Sequence, residues 1–158
     1  MGKSPLILAA LAKAAVPSLT FTSVKKLSAG GTGLFDSALL TSSTGEHYVA
    51  RTPQSKAGAL ELDVETQVLR TLGSSVRSKL PFKITSQLGE TKDSRGARVV
   101  LFEFLYGNPI DPARVAASSP LAGSIGSAIA AIHALDTESI RTAGLPEFSA
   151  AELVKKLV

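Results

Sequence analysis

The sequence predicts an α+β domain in which one helix packs on a five-stranded antiparallel sheet, followed by a linker and further helices. Five short segments rich in β-branched and aromatic residues are separated by turn residues, which is typical of antiparallel strands. One longer segment with helical spacing of its apolar residues lies between the third and the fourth of these strands. A chain of 158 residues, 44% of them hydrophobic, can bury one core of ordinary size.

The composition excludes several classes of function and partner. The chain has no cysteine and two histidines, His47 and His133, which excludes a disulfide framework, a zinc site of usual composition and a cysteine nucleophile. A chain without cysteine is compatible with the reducing cytoplasm. The net charge is +4 but the basic residues are scattered, so we expect no nucleic-acid partner. No apolar run approaches the ~20 residues of a membrane span, so we expect no membrane partner.

The first element is predicted to be a short surface helix. Ser4 and Pro5 have the residue types of an N-cap and a first helical position, and Val16 followed by Pro17 marks the end. A secretory signal is the alternative, because the chain begins with a short apolar run. Lys13 interrupts that run, so we favour the helix.

The first three strands are predicted to be consecutive and antiparallel. The stretches "LTFTSVKKLS" (19–28) and "LFDSALLTSS" (34–43) flank three glycines, which predicts a hairpin bent around glycine. Gly45 marks a turn before "HYVART" (47–52), and Pro53 ends that third strand.

The pattern then changes to a helical period over residues 57–72. Leu62 and Leu69 fall on one face of this helix together with Glu65, and Gly73 supplies a C-terminal stop. The helix should therefore pack its apolar face on the sheet.

Two further strands, 80–90 and 97–105, flank a polar turn and complete the predicted sheet. The stretch "YGNPIDP", residues 106–112, contains glycine and prolines and breaks both periods. We therefore divide the chain into a sheet domain, 1–105, the linker, and a helical segment, 113–158.

The helical segment is predicted to contain two helices. Pro120 opens the first, which carries an apolar stripe, and Ser149 with Glu152 forms the capping-box pair of the second. The sequence finishes on Leu157 and Val158 without a cap, which we expect where a longer sequence was interrupted.

Arg51 and Glu65 are the most informative charged residues. Glu65 shares a face with apolar residues, where a carboxylate loses hydration unless a positive group meets it. Arg51 lies on the same sheet face as Val49, and its five donors can bridge a carboxylate on one side and an anion on the other. The alternative is that both side chains reach water at the edges of their elements.

The glycine stretch is ambiguous when it is taken alone. Gly30, Gly31 and Gly33 do not form a G-x-G-x-x-G pattern. They either allow backbone N–H groups to wrap an anion or only make a turn. Asp36 and Ser37 either add a hydroxyl contact to that anion or satisfy the backbone of the turn.

The order of these features resembles the N-terminal lobe of the protein-kinase-like fold. Within that superfamily the chain is most similar to the macrolide and aminoglycoside phosphotransferases, above all the macrolide 2'-phosphotransferases. The stretches that carry the resemblance are "GLFDSALL", "GEHYVARTP", "VETQVLRTL", "KLPF" and "FEFLYGNPI", followed by "AIAAIHALD". Each stretch is degenerate, and their order covers nearly the whole chain.

The resemblance implies a nucleotide-binding lobe over residues 1–105. Residues 31–37 would cover the nucleotide phosphates, through Gly31, Gly33, Asp36 and Ser37. Arg51, beside Val49, would replace the third-strand lysine that contacts phosphate, and Glu65 would orient it. Phe102 would border the base pocket, and the backbone of Glu103 and Leu105 would bond the purine through one carbonyl and one N–H.

The resemblance also implies a reaction: transfer of the γ-phosphate of ATP or GTP to a hydroxyl of a small molecule, such as an antibiotic sugar. The family's His-Gly-Asp segment and its later aspartate metal ligand are expected after the helix that holds His133, and this sequence has neither. We therefore expect no catalytic or metal-binding residue here, and Mg²⁺ and acceptor sites only in a further lobe. The isolated chain should be inactive.

Two other hypotheses stay open. The chain could be a non-catalytic interaction module that dimerises through the apolar stripe of its post-linker helices. It could also be a plain α+β domain in which the glycines only make turns.

Overall fold

The structure, a computed structural model, describes residues 2–27, 33–108, 110–135 and 138. Its helices are α1 (Pro5–Ala15), α2 (Lys56–Thr71), α3 (Ser74–Arg77), α4 (Pro112–Ala116) and α5 (Ser119–His133). Its strands are β1 (Phe21–Lys26), β2 (Phe35–Ser42), β3 (His47–Pro53), β4 (Gln87–Lys92) and β5 (Arg98–Glu103). The predicted α+β class is confirmed.

The five strands form one sheet in the order β1-β2-β3-β5-β4, and every neighbouring pair is antiparallel. The first three strands are consecutive in space, as predicted. The chain then leaves β3 through α2, returns at the far edge as β4, and places β5 between β4 and β3. This order puts β3, with Arg51, at the centre of the sheet.

One face of the sheet, which we call the α1 face, is covered by α1. Leu8 and Ala12 of this helix are buried against Ala38, Leu40 and Leu101 of the strands. Ala38 and Leu40 lie two residues apart on β2, as the alternation of side chains along a strand requires. This cluster is the larger of the two cores.

The sequence predicts α1 as a surface helix, whereas the structure makes it a core element. Leu8 is 1% exposed and Leu6 is 74% exposed, so only one side of the helix packs. The C-terminal end of α1 also approaches β4 closely, because a Cβ on Gly89 would lie 2.7 Å from the carbonyl oxygen of Ala15. The helix α1 itself carries apolar residues on most of its sides, so the sequence does not show which side packs on the sheet.

The opposite face, the α2 face, is covered by α2. Leu62 is buried there against Val100 and Phe102. The partly buried residues that pack around these three are Phe35, Val49 and Leu69. The Ser55 side chain caps the helix by accepting a hydrogen bond from the Gly58 N–H.

The connection from α2 to β4 differs from its prediction. A strand is predicted over 80–90, but β4 begins at Gln87 and residues 74–77 form the short helix α3. Arg77 fixes this connection, because its guanidinium donates to the carbonyl oxygens of Leu69, Leu72, Ile84 and Thr85 at 2.7–3.2 Å. These bonds hold residues 84 and 85 away from strand pairing.

Two helices, α4 and α5, follow the linker. The helix predicted to open at Pro120 is confirmed as α5, with Ser118 as its N-cap, while α4 was not predicted. No described residue of α5 is buried, and Ile129 and Ile132 are each 48% exposed. The predicted final helix at 149–157 lies outside the described residues. Among the described helices, none has the length and apolar character of a membrane span.

Candidate functional site

Arg51 and Glu65 form an ion pair on the α2 face. The Arg51 Nη1 lies 2.9 Å from Glu65 Oε1 and 2.7 Å from Oε2. The two side chains are 23% and 31% exposed, so the pair is half-buried. The period of β3 points Arg51 toward α2, and Glu65 lies one helical turn after the buried Leu62. The ion pair predicted from the sequence is confirmed.

Two aromatic rings restrict the Arg51 guanidinium further. Its central carbon lies 4.1 Å from the ring centroid of Phe35 and 5.9 Å from that of Phe102. Such contacts contribute about 0.5–2 kcal/mol depending on how far the cation is desolvated. The guanidinium is therefore held by charge on one edge and by stacking on its face.

The remaining donors of Arg51 are available to a ligand. Within the described part of the chain, no protein group accepts a hydrogen bond from its Nε or Nη2. A guanidinium fork with two such donors suits the paired oxygens of a phosphate or carboxylate. The pair can therefore hold an anion without losing its contact to Glu65.

Ser37 and Val49 lie on the same sheet face as Arg51. Ser37 is the direct cross-strand partner of Arg51, and Val49 precedes it by two residues. Ser37 is 7% exposed, so its hydroxyl is almost covered, while Val49 is half-buried. The structure thus brings together three of the residues predicted for one site: Ser37, Val49 and Arg51.

Asp36 lies on the other face of the sheet. Its Oδ2 accepts a hydrogen bond from the backbone N–H of Lys3 at 2.6 Å, and its Oδ1 accepts one from Gln54 Nε2 at 2.6 Å. Side chains alternate along a strand, so Asp36 points away from Arg51 although Ser37 points toward it. Gly33 has a positive φ of 69°, whereas Gly31 falls outside the described residues.

The predicted base-binding residues lie at the end of β5. Phe102 is 3% exposed and packs under α2. The Glu103 N–H donates to the Ser86 carbonyl at 2.9 Å, and the Glu103 carbonyl accepts from Thr85 Oγ1 at 2.7 Å. That carbonyl keeps a second lone pair. The Leu105 N–H has no hydrogen-bond partner among the residues that the structure describes.

A cavity of about 490 Å³ opens beside this backbone. Glu103 and Leu105 form one wall of it, and Pro81, Phe82 and Ile84 form another. Its volume lies within the range of small-ligand sites, about 300–1,000 Å³.

Charged residues that the sequence analysis missed fix α2 on the sheet. Arg98 of β5 joins Asp63 of α2 to Glu90 of β4, and Arg70 of α2 also reaches Glu90, at 3.1 Å. The hydrogen bond from Arg98 holds the pKa of Glu90 below its ordinary value. Glu90 and Arg98 lie on the two strands that the predicted polar turn joins. Their positions on either side of this turn are the one feature of the sequence from which the pair could have been predicted.

Among the described residues, no group of three or more histidine, aspartate or glutamate side chains is arranged to hold a metal ion.

Several solved structures with this fold are aminoglycoside or macrolide phosphotransferases. An aminoglycoside 2'-phosphotransferase-IIIa, solved as its GDP complex, matches 98% of this chain with a TM-score of 0.73 and 21% identity. This is the fold of one half of an antibiotic phosphotransferase. A structure of an aminoglycoside phosphotransferase with GDP and kanamycin matches 96% of the chain with a TM-score of 0.70 and 22% identity.

A macrolide 2'-phosphotransferase from Brachybacterium faecium, solved as the apoenzyme, matches 94% of the chain with a TM-score of 0.68 and 22% identity. The match covers about half of each of these phosphotransferases, 50% of their chains. No protein-family model matches the sequence, and no curated protein is significantly similar to it. At these identities the comparison establishes the fold, and it agrees with the kinase-like lobe predicted from the sequence.

Proposed function

We propose that the chain is the nucleotide-binding part of a small-molecule phosphotransferase that transfers the γ-phosphate of ATP or GTP to a hydroxyl group. The observation that carries this proposal is the Arg51–Glu65 pair, which leaves two guanidinium nitrogens of Arg51, Nε and Nη2, without a protein partner within the described residues. Structures with this fold were solved with GDP bound, which supports a nucleotide as the ligand.

Different residues on the α2 face would bind different parts of the nucleotide. Arg51 would contact the phosphates, and Glu65 would keep its guanidinium in place. Val49 would pack against the base and Phe102 would border the base pocket, while the Glu103 carbonyl and the Leu105 N–H would bond the edge of the base. We leave Asp36 out of this surface, because its carboxylate lies on the α1 face.

In our proposal, the metal ligands and the carboxylate that catalysis needs are not among the residues of this chain. Phosphoryl transfer needs Mg²⁺ to neutralise charge and a carboxylate to orient the attacking hydroxyl. We assign both, and the acceptor site, to a further lobe. The small-molecule acceptor would be an antibiotic sugar, since the proteins with this fold named above are aminoglycoside and macrolide phosphotransferases. A cysteine-free nucleotide-binding chain would work in the cytoplasm.

A thermal-shift titration with ATP and GTP, with and without Mg²⁺, tests the proposal. A ligand that binds the folded state and not the unfolded one raises the melting temperature, and the rise grows with the ratio of the free ligand concentration to the dissociation constant. We expect weak binding by the wild type, loss of it in Arg51→Ala, and no change in Arg95→Ala, which removes an exposed arginine of the β4–β5 turn. Equal shifts in all three proteins, or turnover by this chain alone, would contradict the proposal.

An interaction module is the second candidate function, and the exposed stripe of α5 favours it. Ile129 and Ile132 are each 48% exposed on a helix without a buried residue. Exposed apolar surface of this kind promotes association. Light scattering of the wild type and of Ile129→Ser tests this candidate, since a dimer that dissociates in the variant is the expected result.

A further inference from the structure

Residues Gly2–Ser4, which we call the N-terminal strap, run across the end of the sheet where β2 begins. The Lys3 backbone N–H donates to Asp36 Oδ2 at 2.6 Å. The Lys3 Nζ lies 2.9 Å from Asp93 Oδ2 and 3.4 Å from Thr52 Oγ1. The strap therefore links β2, β3 and the β4–β5 turn at one end of the sheet.

The strap fits closely around the Asp36 carboxylate. A Cβ on Gly2 would lie 2.8 Å from Asp36 Oδ1, a distance that real Cβ atoms do not reach. The same oxygen accepts a hydrogen bond from Gln54 Nε2 at 2.6 Å. An alanine at position 2 would therefore make the strap or the Asp36 carboxylate shift, and the carboxylate is held by hydrogen bonds from two sides.

The two sequence neighbours of Asp36 lie next to Arg51 on the α2 face, which is the face opposite Asp36. Phe35 stacks on the guanidinium, with 4.1 Å between its ring centroid and the central carbon. Ser37 is the cross-strand partner of Arg51. Because adjacent side chains in a strand point to opposite faces, a bond that fixes Asp36 on the α1 face also fixes Phe35 and Ser37 on the α2 face.

We infer that the N-terminal strap is a positioning device for Arg51: by clamping Asp36 it holds Phe35 against the guanidinium on the opposite face. Asp36 and Gly2 are positioning residues, since neither reaches Arg51 itself. Their effect on nucleotide affinity rests on the function proposed above, whereas their effect on Arg51 does not.

Two variants that act by different routes test the inference. Asp36→Asn keeps the shape of the side chain but removes its charge, and Gly2→Ala makes the strap and the carboxylate shift apart. Neither residue belongs to the two buried clusters, so both variants should fold. Asp111→Asn is the matched control, because Asp111 caps α4 and contacts neither the strap nor Arg51.

The first measurement does not depend on nucleotide. The Arg51 Nε–H resonance, assigned in ¹⁵N–¹H spectra with Arg51→Lys, senses the ring current of Phe35. We expect it to move in Asp36→Asn and in Gly2→Ala and to stay in place in Asp111→Asn. An unmoved resonance in both strap variants overturns the inference.

The second measurement is a double-mutant cycle on GTP affinity. We expect GTP to bind about three- to tenfold more weakly to Asp36→Asn than to the wild type, and no further loss when Asp36→Asn is added to Arg51→Ala. An equal loss in both backgrounds means a structural effect and overturns the inference. If Arg51→Ala binds GTP like the wild type, the proposed function fails; if its binding is too weak to measure, the resonance decides.

Discussion

The two faces of the sheet are built on different principles. The α1 face is closed by apolar volume: Leu8, Ala12, Leu40 and Leu101 are each at most 1% exposed. The charged groups that contact it among the described residues include the strap lysine at its rim and Glu46, which accepts a hydrogen bond from the Tyr48 hydroxyl at 2.8 Å. The α2 face has a smaller apolar cluster, and charged side chains surround it. The comparison indicates that the α1 face supplies stability, while the α2 face gives up some apolar contact to hold a cation where an anion can reach it.

The largest effect should come from the α1 face. Leu40→Ala should lower the free energy of unfolding by about 2–5 kcal/mol, because it leaves a cavity in a fully buried cluster. Urea unfolding measures this. Leu60→Ala, at a residue of α2 that is 67% exposed, is the matched control and should stay within about 0.5 kcal/mol of the wild type. Equal losses in the two variants would mean that the α1 face is not the main core.

The next effect should come from Arg77, which holds the connection behind the α2 face. Arg77→Met removes donors from the carbonyls of residues 69, 72, 84 and 85, and we expect a loss of about 1–3 kcal/mol. Hydrogen exchange should speed up at the Glu103 N–H, which donates to the Ser86 carbonyl of this connection at 2.9 Å, and stay unchanged in β1 and β2. Unchanged protection at Glu103 would show that the connection does not depend on this arginine.

Glu65→Gln should separate binding from stability on the α2 face. The pair is half-buried, so its loss should change the free energy of unfolding by about 1 kcal/mol or less. GTP binding should nevertheless weaken about tenfold, because the guanidinium loses its orienting charge. Calorimetry gives both quantities. Arg70→Gln, which removes the 58% exposed arginine of another ion pair on α2, is the control and should leave GTP binding unchanged.

The smallest effect should be the pH dependence at the rim of the α1 face. The hydrogen bond from Lys3, assisted by the Ala97 N–H, holds the pKa of Asp93 below its ordinary value of 3.8. A lowered folded-state pKa stabilises the fold above the unfolded pKa, and this contribution is lost as the pH falls through the folded pKa. The stability difference between the wild type and Asp93→Asn should therefore be constant near neutral pH and shrink below pH 3.8. A difference that is constant down to pH 2 would contradict this assignment.

The parts of the fold that repeat a local period could be predicted from the sequence. Strand composition, the helical spacing of Leu62, Glu65 and Leu69, and the cap at Ser4 depend on neighbouring residues. The Arg51–Glu65 pair could be predicted because each charge interrupts an apolar pattern and so requires a partner.

The contacts made by single polar residues over long distances could not be predicted. Arg77 binds carbonyls that strand composition assigns to a ladder, and Lys3 meets Asp36 and Asp93 only after α1 has docked. The side of the sheet on which Asp36 lies is different, because it could have been predicted: strand alternation alone places Asp36 and Ser37 on opposite faces.

The most direct test of the account follows the Arg51 side-chain N–H resonances during titrations with GTP and with guanosine. The two ligands share the base and the ribose, so a difference between them reports the phosphates. We predict that GTP moves the Arg51 resonances and that guanosine does not. If the two ligands move them equally, or if saturating GTP leaves them unmoved, Arg51 does not hold the phosphates and the central claim is contradicted.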